Sequence, residues 1–329
     1  MRLPLGFVEV IGFGLTGPPN VALARAEKIQ ADYPEPMGLA ADIIGVVVGH
    51  ALLRCGDLAG AIGRLRESRA GLHGQANAGG FLVFCQLYLT QALAASGDLP
   101  AARQALADLE QFSEPTATLL EPDLHLARAA LAAREGAVTE ALAITGQVAA
   151  TAAGGGYEIL ALHAMVRLGD PSPATRLSEL ASRSSRARLA AAQADALAAG
   201  DAERLGGLCE EWLRAGDRLA AADVAAQAAI VLRGQKRDGT AAHWAARADD
   251  LARSCGGAWS PVLAAAARPL ALSAREREVV TLAAHGLANR AIADRLGLSV
   301  RTVEGHLYRI RRKLGANDRT GLAALIGEG

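Results

Sequence analysis

From about residue 37 to residue 256, alanine and leucine recur at steps of three and four, and strand-like alternation is nearly absent after residue 20. That spacing puts apolar side chains on one face of a helix. One punctuation mark recurs between these stretches: a small residue, a glycine and often an aspartate. It stands at Cys55-Gly56-Asp57-Leu58, Ser96-Gly97-Asp98-Leu99, Glu135-Gly136-Ala137, Leu168-Gly169-Asp170, Ala199-Gly200-Asp201 and Ala215-Gly216-Asp217-Arg218. Physically, glycine closes one helix in the left-handed conformation and aspartate caps the next. The intervals from Gly56 to Gly97 and from Gly97 to Gly136 are about forty residues, later ones are nearer thirty and the last is about sixteen. Paired helices at such a period predict an α-solenoid over 37–256, with a plain helical bundle as the alternative. The longest apolar run, Met37 to Leu53, contains Asp42 and His50; it is too short and too polar to span a membrane and predicts a buried helix.

The last quarter of the chain carries the most specific pattern. Ser273-Ala274-Arg275-Glu276 fits a capping box, and Val279, Val280, Leu282 and Ala283 continue as a helical apolar face. Gly286 is placed to end that helix, with Leu287 just beyond it. Asn289 is read as the N-cap of a short second helix, Arg290 to Leu296, and Gly297-Leu298-Ser299 as the tight turn before a third. In the third helix Val300, Val303, Leu307, Ile310 and Leu314 form an inward stripe. The opposite stripe holds Arg301, Glu304, Gly305, Tyr308, Arg311 and Arg312, a mixture of base-reading and phosphate-neutralising chemistry. Asn317 or Asp318 is placed to cap a fourth helix with Leu322, Leu325 and Ile326 on its apolar side.

Residues 272–326 resemble the LuxR/NarL-type DNA-binding domain, through Leu272, Arg275-Glu276, Glu278-Val279, Gly286, Asn289, Ile292-Ala293, Leu296, Ser299, Thr302-Val303, His306-Leu307, Ile310, Lys313-Leu314 and Arg319. The run from Thr302 to Gly315 is closest to actinobacterial members. The resemblance implies a small four-helix helix-turn-helix domain over 272–329, with 300–314 as the recognition helix in the major groove of double-stranded DNA. It implies that Glu304, Gly305 and Tyr308 face bases. It places Asn289, Arg290, Arg301, Thr302, Arg309, Arg312 and Lys313 at or near phosphates, and makes Leu322, Leu325 and Ile326 the face of a homodimer. Glu304 departs from the lysine of many relatives, and a carboxylate there is repelled by phosphates unless it accepts from a cytosine amino group. Gly305 costs about 1 kcal/mol relative to alanine inside a helix, which suggests that the missing side chain permits close approach to DNA. His306, at the edge of the inward stripe, reads as a packed or backbone-bonded histidine.

The helical repeats resemble degenerate tetratricopeptide units, so the whole chain is similar to the C-terminal half of large ATP-binding LuxR-type regulators. Their nucleotide-binding module is not matched. The glycine-rich stretch Gly12 to Pro19 lacks the lysine of a phosphate loop and ends in prolines, and it reads as part of a flexible lead-in over 1–36. Residues 257–271 read as a connector broken by Pro261 and Pro269, with a brief helix in the alanine run between them. A solenoid of this kind offers a concave groove to a protein or small-molecule effector. Gln86, Tyr88, His125, His163, Trp212 and Trp244 are its polar and aromatic candidates, each with an ordinary packing role as the alternative.

Charge supports the division. The formal net charge is zero, but residues 272–329 hold ten Arg or Lys against six Asp or Glu, leaving twenty-four against twenty-eight in the rest. A basic reader attached to an acidic body suits DNA binding. Cys55, Cys85, Cys209 and Cys255 are scattered without metal-ligand spacing or a disulfide framework, so they read as buried thiols of a soluble, cytoplasmic protein. No catalytic constellation, cofactor motif or signal peptide stands out, so the chain reads as a non-enzyme. A sequence-specific transcriptional regulator is the leading functional reading, and an interaction adaptor with a vestigial DNA-binding domain is the alternative.

Overall fold

A computed structural model describes residues 2–75, 78–111, 120–268 and 273–314. Among these residues the chain is all helical, with eighteen helices and no strand. In chain order they are α1 Arg2–Thr16, α2 Pro19–Ala31, α3 Leu39–Cys55, α4 Leu58–Leu72, α5 Gly79–Ser96, α6 Leu99–Glu110, α7 Glu121–Arg134, α8 Val138–Thr151 and α9 Gly156–Arg167. There follow α10 Ala174–Leu180, α11 Ser185–Ala199, α12 Ala202–Ala215, α13 Arg218–Gly234, α14 Asp238–Ser254, α15 Pro261–Ala267, α16 Ala274–Ala284, α17 Asn289–Leu296 and α18 Val300–Leu314.

The glycine-aspartate punctuation does what its chemistry predicts at four of the six sites. Gly56, Gly97, Gly200 and Gly216 each close a helix with positive φ, and Asp57, Asp98, Asp201 and Asp217 each accept from a backbone N–H three residues on. Gly136 also has positive φ but is followed by Ala137, which has no capping side chain. After Gly169, Asp170 instead closes a turn onto the Ser172 N–H at 2.9 Å.

Consecutive helices from α1 to α15 pack against one another, and α3, α5 and α7 also touch in series, an order consistent with stacked helix pairs. Two large cores result. One is built from α1 to α7 around Val46, Leu65, Tyr88 and Leu89, the other from α7 to α15 around Leu177, Leu205, Leu208 and Trp212. The stack curls until distant elements meet. Ser184 Oγ donates to Thr16 O at 2.5 Å, Asn20 Nδ2 to Arg214 O at 3.1 Å, Leu58 N to Cys255 O at 3.2 Å and Trp259 N to Ala95 O at 2.8 Å.

Two expectations change here. The N-terminal stretch expected as a flexible lead-in forms α1 and α2, with Phe7, Val10, Ala22, Ala26 and Ile29 buried. Its glycines lower helix propensity, but packing overrides that. A side chain at Gly14 would stand 2.6 Å from His50 Nε2, so the glycine lets α1 lie close on α3. Most of the expected connector is docked as well. Ser260 caps α15, whose Val262, Leu263 and Ala266 are buried, and Arg233 Nη1 holds the Ala265 carbonyl at 2.9 Å. The run from Met37 to Leu53 falls largely in α3, buried from Ile43 to Ala51. Among the described residues no helix is long and apolar enough to cross a membrane. All four cysteines are buried, and burial pushes their thiols up to about 11 or 12.

Candidate nucleic-acid interface

The three C-terminal helices have their own core. Val279, Val280 and Ala283 of α16, Ile292 and Ala293 of α17, and Val303, Leu307 and Ile310 of α18 are buried together. The capping box at the start of α16 is complete. The Glu276 N–H donates to Ser273 Oγ at 3.2 Å, and the Ser273 N–H donates to Glu276 Oε2 at 2.8 Å. Gly286 and Gly297 have positive φ, and Ser299 caps α18 by accepting from the Thr302 N–H at 3.1 Å. The cap of α17 moves by one residue: its N-cap is Ala288 in extended conformation, and Asn289 is the first helical residue.

Glu276 does more than cap. It is buried, and Lys313 Nζ reaches its Oε2 at 2.7 Å while Arg309 Nε lies 3.9 Å from its Oε1. Burial alone would raise its pKa, but the Lys313 ammonium and the Ser273 N–H outweigh it and hold the carboxyl below the usual glutamate range. This ties the end of the recognition helix to the start of α16. Arg275 complements it by donating to the Leu296 carbonyl at the end of α17 and to Glu278 Oε2 at 2.6 Å. Sequence reading found the cap but not the tie to Lys313, because the two residues lie 37 positions apart. Glu276→Gln is expected to destabilise the domain by about 1–2 kcal/mol at neutral pH. The depressed pKa fixes the sign of the pH effect. The contribution is complete above the ordinary glutamate range and fades as pH falls through the lowered pKa, where wild type and variant converge. Thermal unfolding of both proteins from pH 7 to pH 3 checks this; an equal gap at all pH values would remove the charge from the explanation.

With Val303, Leu307 and Ile310 turned inward, α18 presents Arg301, Thr302, Glu304, Tyr308 and Arg309 to solvent, and Tyr308 is 55% exposed. Gly305 lies between them, partly exposed, and a Cβ there would meet nothing within 4 Å. Thr302 Oγ1 lies 2.7 Å from Ser299 Oγ, so the helix start is fixed by a local pair of hydroxyls. Arg290 is exposed at the start of α17 and Asn289 is half-buried beside it. His306 is half-buried and its Nδ1 is 3.1 Å from Arg309 Nη2; burial and that guanidinium lower its pKa, and its partner is a side chain rather than the backbone. Lys313 is turned towards Glu276 instead of standing free on the outward stripe. The side chains of Arg312 and Leu314 lie outside what the structure describes, as do the expected fourth helix and Leu322, Leu325 and Ile326. Cα atoms of α18 come within 8 Å of α14 of the helical body.

This geometry has the parts of a groove reader: a rigid helix, an outward face of aromatic, acidic and small residues, and cations at its flanks. A family model described as bacterial regulatory proteins of the luxR family matches residues 270–326. Over 62 residues the chain is 44% identical to the C4-dicarboxylate transport transcriptional regulatory protein DctR of Rhodobacter capsulatus, covering 19% of this chain and 32% of that protein. Over 55 residues it is 40% identical to the putative HTH-type transcriptional regulator YhjB of Escherichia coli, covering 17% and 28% respectively. The chain thus spans about a third of the length of these curated relatives. No solved structure matches it. The capped helices, the inward stripe and these matches together make residues 270–326 a helix-turn-helix domain of the LuxR family of bacterial regulatory proteins.

Proposed function

We propose that this protein is a sequence-specific transcriptional regulator that binds double-stranded DNA through α18. The observation that supports it most directly is the division of α18 between a buried apolar stripe and an exposed stripe carrying Arg301, Glu304, Tyr308 and Arg309. Glu304, Gly305 and Tyr308 face base edges in the major groove. Arg301, Thr302, Arg309 and Arg312, with Asn289 and Arg290 of α17, hold phosphates. Two copies bind a roughly palindromic site, since half-sites mirror the two-fold symmetry of a dimer. Leu322, Leu325 and Ile326 form the dimer face.

The helical body is the control module. Its charge is opposite to that of the reader, and α14 lies beside the recognition helix. Contact of this kind masks DNA-binding residues until a protein or small-molecule effector shifts the balance. The test compares operator affinity of the full chain with that of residues 268–329. Tighter binding by the short form supports masking, and equal affinity refutes it.

Gly305 supplies an independent check on the docking geometry. Because no atom stands within 4 Å of a Cβ at that site, Gly305→Ala is expected to stabilise the domain by about 1 kcal/mol. The added methyl group points towards the groove, so operator affinity falls in the same variant. Increased thermal stability with unchanged affinity would remove Gly305 from the interface.

A further inference from the structure

The helical body holds a partly open cavity of about 190 Å³ where its two cores meet. Its walls combine apolar side chains, among them Leu126, Leu160 and Pro261, with charged groups that the DNA-binding reading does not use. An apolar cavity of about 150 Å³ suffices for a benzene-sized molecule, so this one has room for a short chain or a single ring.

The charged groups are paired unevenly. Arg186 is buried, with 3% of its side chain exposed, and its Nη1 donates to Asp217 Oδ2 at 2.8 Å and lies 3.3 Å from His163 Nδ1. Its Nε and Nη2 are buried without a hydrogen-bond partner. Arg54 lines the same cavity with 12% of its side chain exposed, and its Nη2 is 3.8 Å from Asp123 Oδ1, beyond hydrogen-bond reach. Arg54 Nε and Nη2 are buried and unpartnered as well.

Acceptors show no such surplus. Asp217 receives Arg186 and the Ala220 N–H, Asp223 receives Arg167 at 2.7 Å and Ser260 at 2.6 Å, and Asp123 receives the Tyr157 hydroxyl and Gln91. His163 is stacked on Trp212 at 4.5 Å, burial and Arg186 push its pKa well below the usual imidazole range, and its Nε2 is also unpartnered. Buried donors without acceptors are costly, and more so when they carry charge. The complement is one acceptor-rich, singly charged group joined to an apolar body.

We infer that this cavity is a binding site for a small monocarboxylate, its carboxylate received by Arg186 and Arg54 and its hydrocarbon part seated on Leu126, Leu160 and Pro261. A carboxylate matches the guanidinium fork and takes two N–H donors at once. A phosphate dianion would bring a second charge into largely apolar walls. The site deepens the effector part of the proposed function, and only its consequence at DNA rests on that reading. Such a consequence has a route: Trp259, Ser260 and Pro261 belong both to the wall and to the docked segment leading to the DNA-binding domain.

The test uses the full-length protein, a panel of hexanoate, benzoate and phenylacetate with their amides and inorganic phosphate as controls, and isothermal calorimetry with thermal shift as readouts. The expected result is saturable binding of at least one acid, with its amide and phosphate weaker by about tenfold or more. Arg54→Gln lowers that affinity by about tenfold to a hundredfold. Because Arg186 variants risk unfolding, the second variant is Ala164→Leu, which fills the lining while leaving every charge in place. It abolishes acid binding with the helix content retained. No saturable binding by any acid, equal binding of acid and amide, or unchanged affinity in both variants would overturn the proposal. Operator affinity measured in parallel keeps the two readings apart, since DNA binding without acid binding refutes the cavity site alone.

Discussion

Asp217→Asn is expected to destabilise the helical body by about 3–5 kcal/mol, the largest loss foreseen for any single substitution in this chain. Asp217 is 6% exposed and does two jobs: Oδ1 accepts from the Ala220 N–H at the start of α13, and Oδ2 takes the buried Arg186 guanidinium. Asparagine keeps the cap, since it ranks beside aspartate at that position. It removes the negative charge, however, and leaves Arg186 a cation in the interior. Burial raises the Asp217 pKa, but Arg186 and Arg167 outweigh it, so the carboxyl is held below its usual range. Its contribution is therefore present at neutral pH and is lost as pH falls through the depressed pKa. Asp201→Asn is the control, because Asp201 caps α12 in the same way but is exposed and forms no ion pair among the described residues. Urea unfolding followed by tryptophan fluorescence compares the two. A difference under about 1 kcal/mol would show that the ion pair does not balance the interior charge.

Replacing Arg301 and Arg309 together by glutamine is expected to weaken operator binding more than any other change that leaves the fold intact. Both are exposed on α18. Each neutralised phosphate contributes about −0.9 to the slope of log affinity against log salt, so the pair flattens that slope by about 1.8. The loss is uniform across operator sequences, since phosphates carry no base identity. Tyr308→Ala has the opposite signature: it reduces preference among sequences and leaves the slope unchanged. Arg309 also lies 3.1 Å from His306 and 3.9 Å from Glu276, so the double variant's melting temperature is measured alongside. A slope unchanged in the double variant would place these arginines away from the backbone of the DNA.

The C-terminal domain was legible because its signals are local. A capping box, two glycine stops and a period-3.6 stripe each lie within a few residues; the box and the stops recur in the structure, and so do Val303, Leu307 and Ile310 of the stripe, while Val300 at the start of α18 is exposed. The same holds for four of the glycine-aspartate junctions. What the sequence hid depends on distant partners. The helicity of α1 was masked by Gly6, Gly12 and Gly14, although Gly14 serves close packing on His50 of α3. The connector looked free because prolines break helices, yet Pro261 sits at the start of α15, where a missing N–H costs nothing. The cavity was the least legible part. Of the six groove candidates only His163 lines it; Gln86 is spent on the Ala105 carbonyl at 2.9 Å and Trp212 on Gln193 at 3.0 Å. Arg54, Arg167 and Arg186 stand in α3, α9 and α11, and only the curl of the stack brings them together. One sign was available: Arg54, Arg167 and Arg186 each stand at or near the end of a helix.

The most direct test of sequence-specific DNA binding through α18 is selection of bound sequences from a random DNA pool, run in parallel with the full chain and with residues 268–329, followed by salt titration on the enriched site. The short form is expected to recover a near-palindromic site, with affinity falling steeply in salt and sequence preference lost on Tyr308→Ala. Failure of both forms to enrich any sequence would contradict sequence-specific binding.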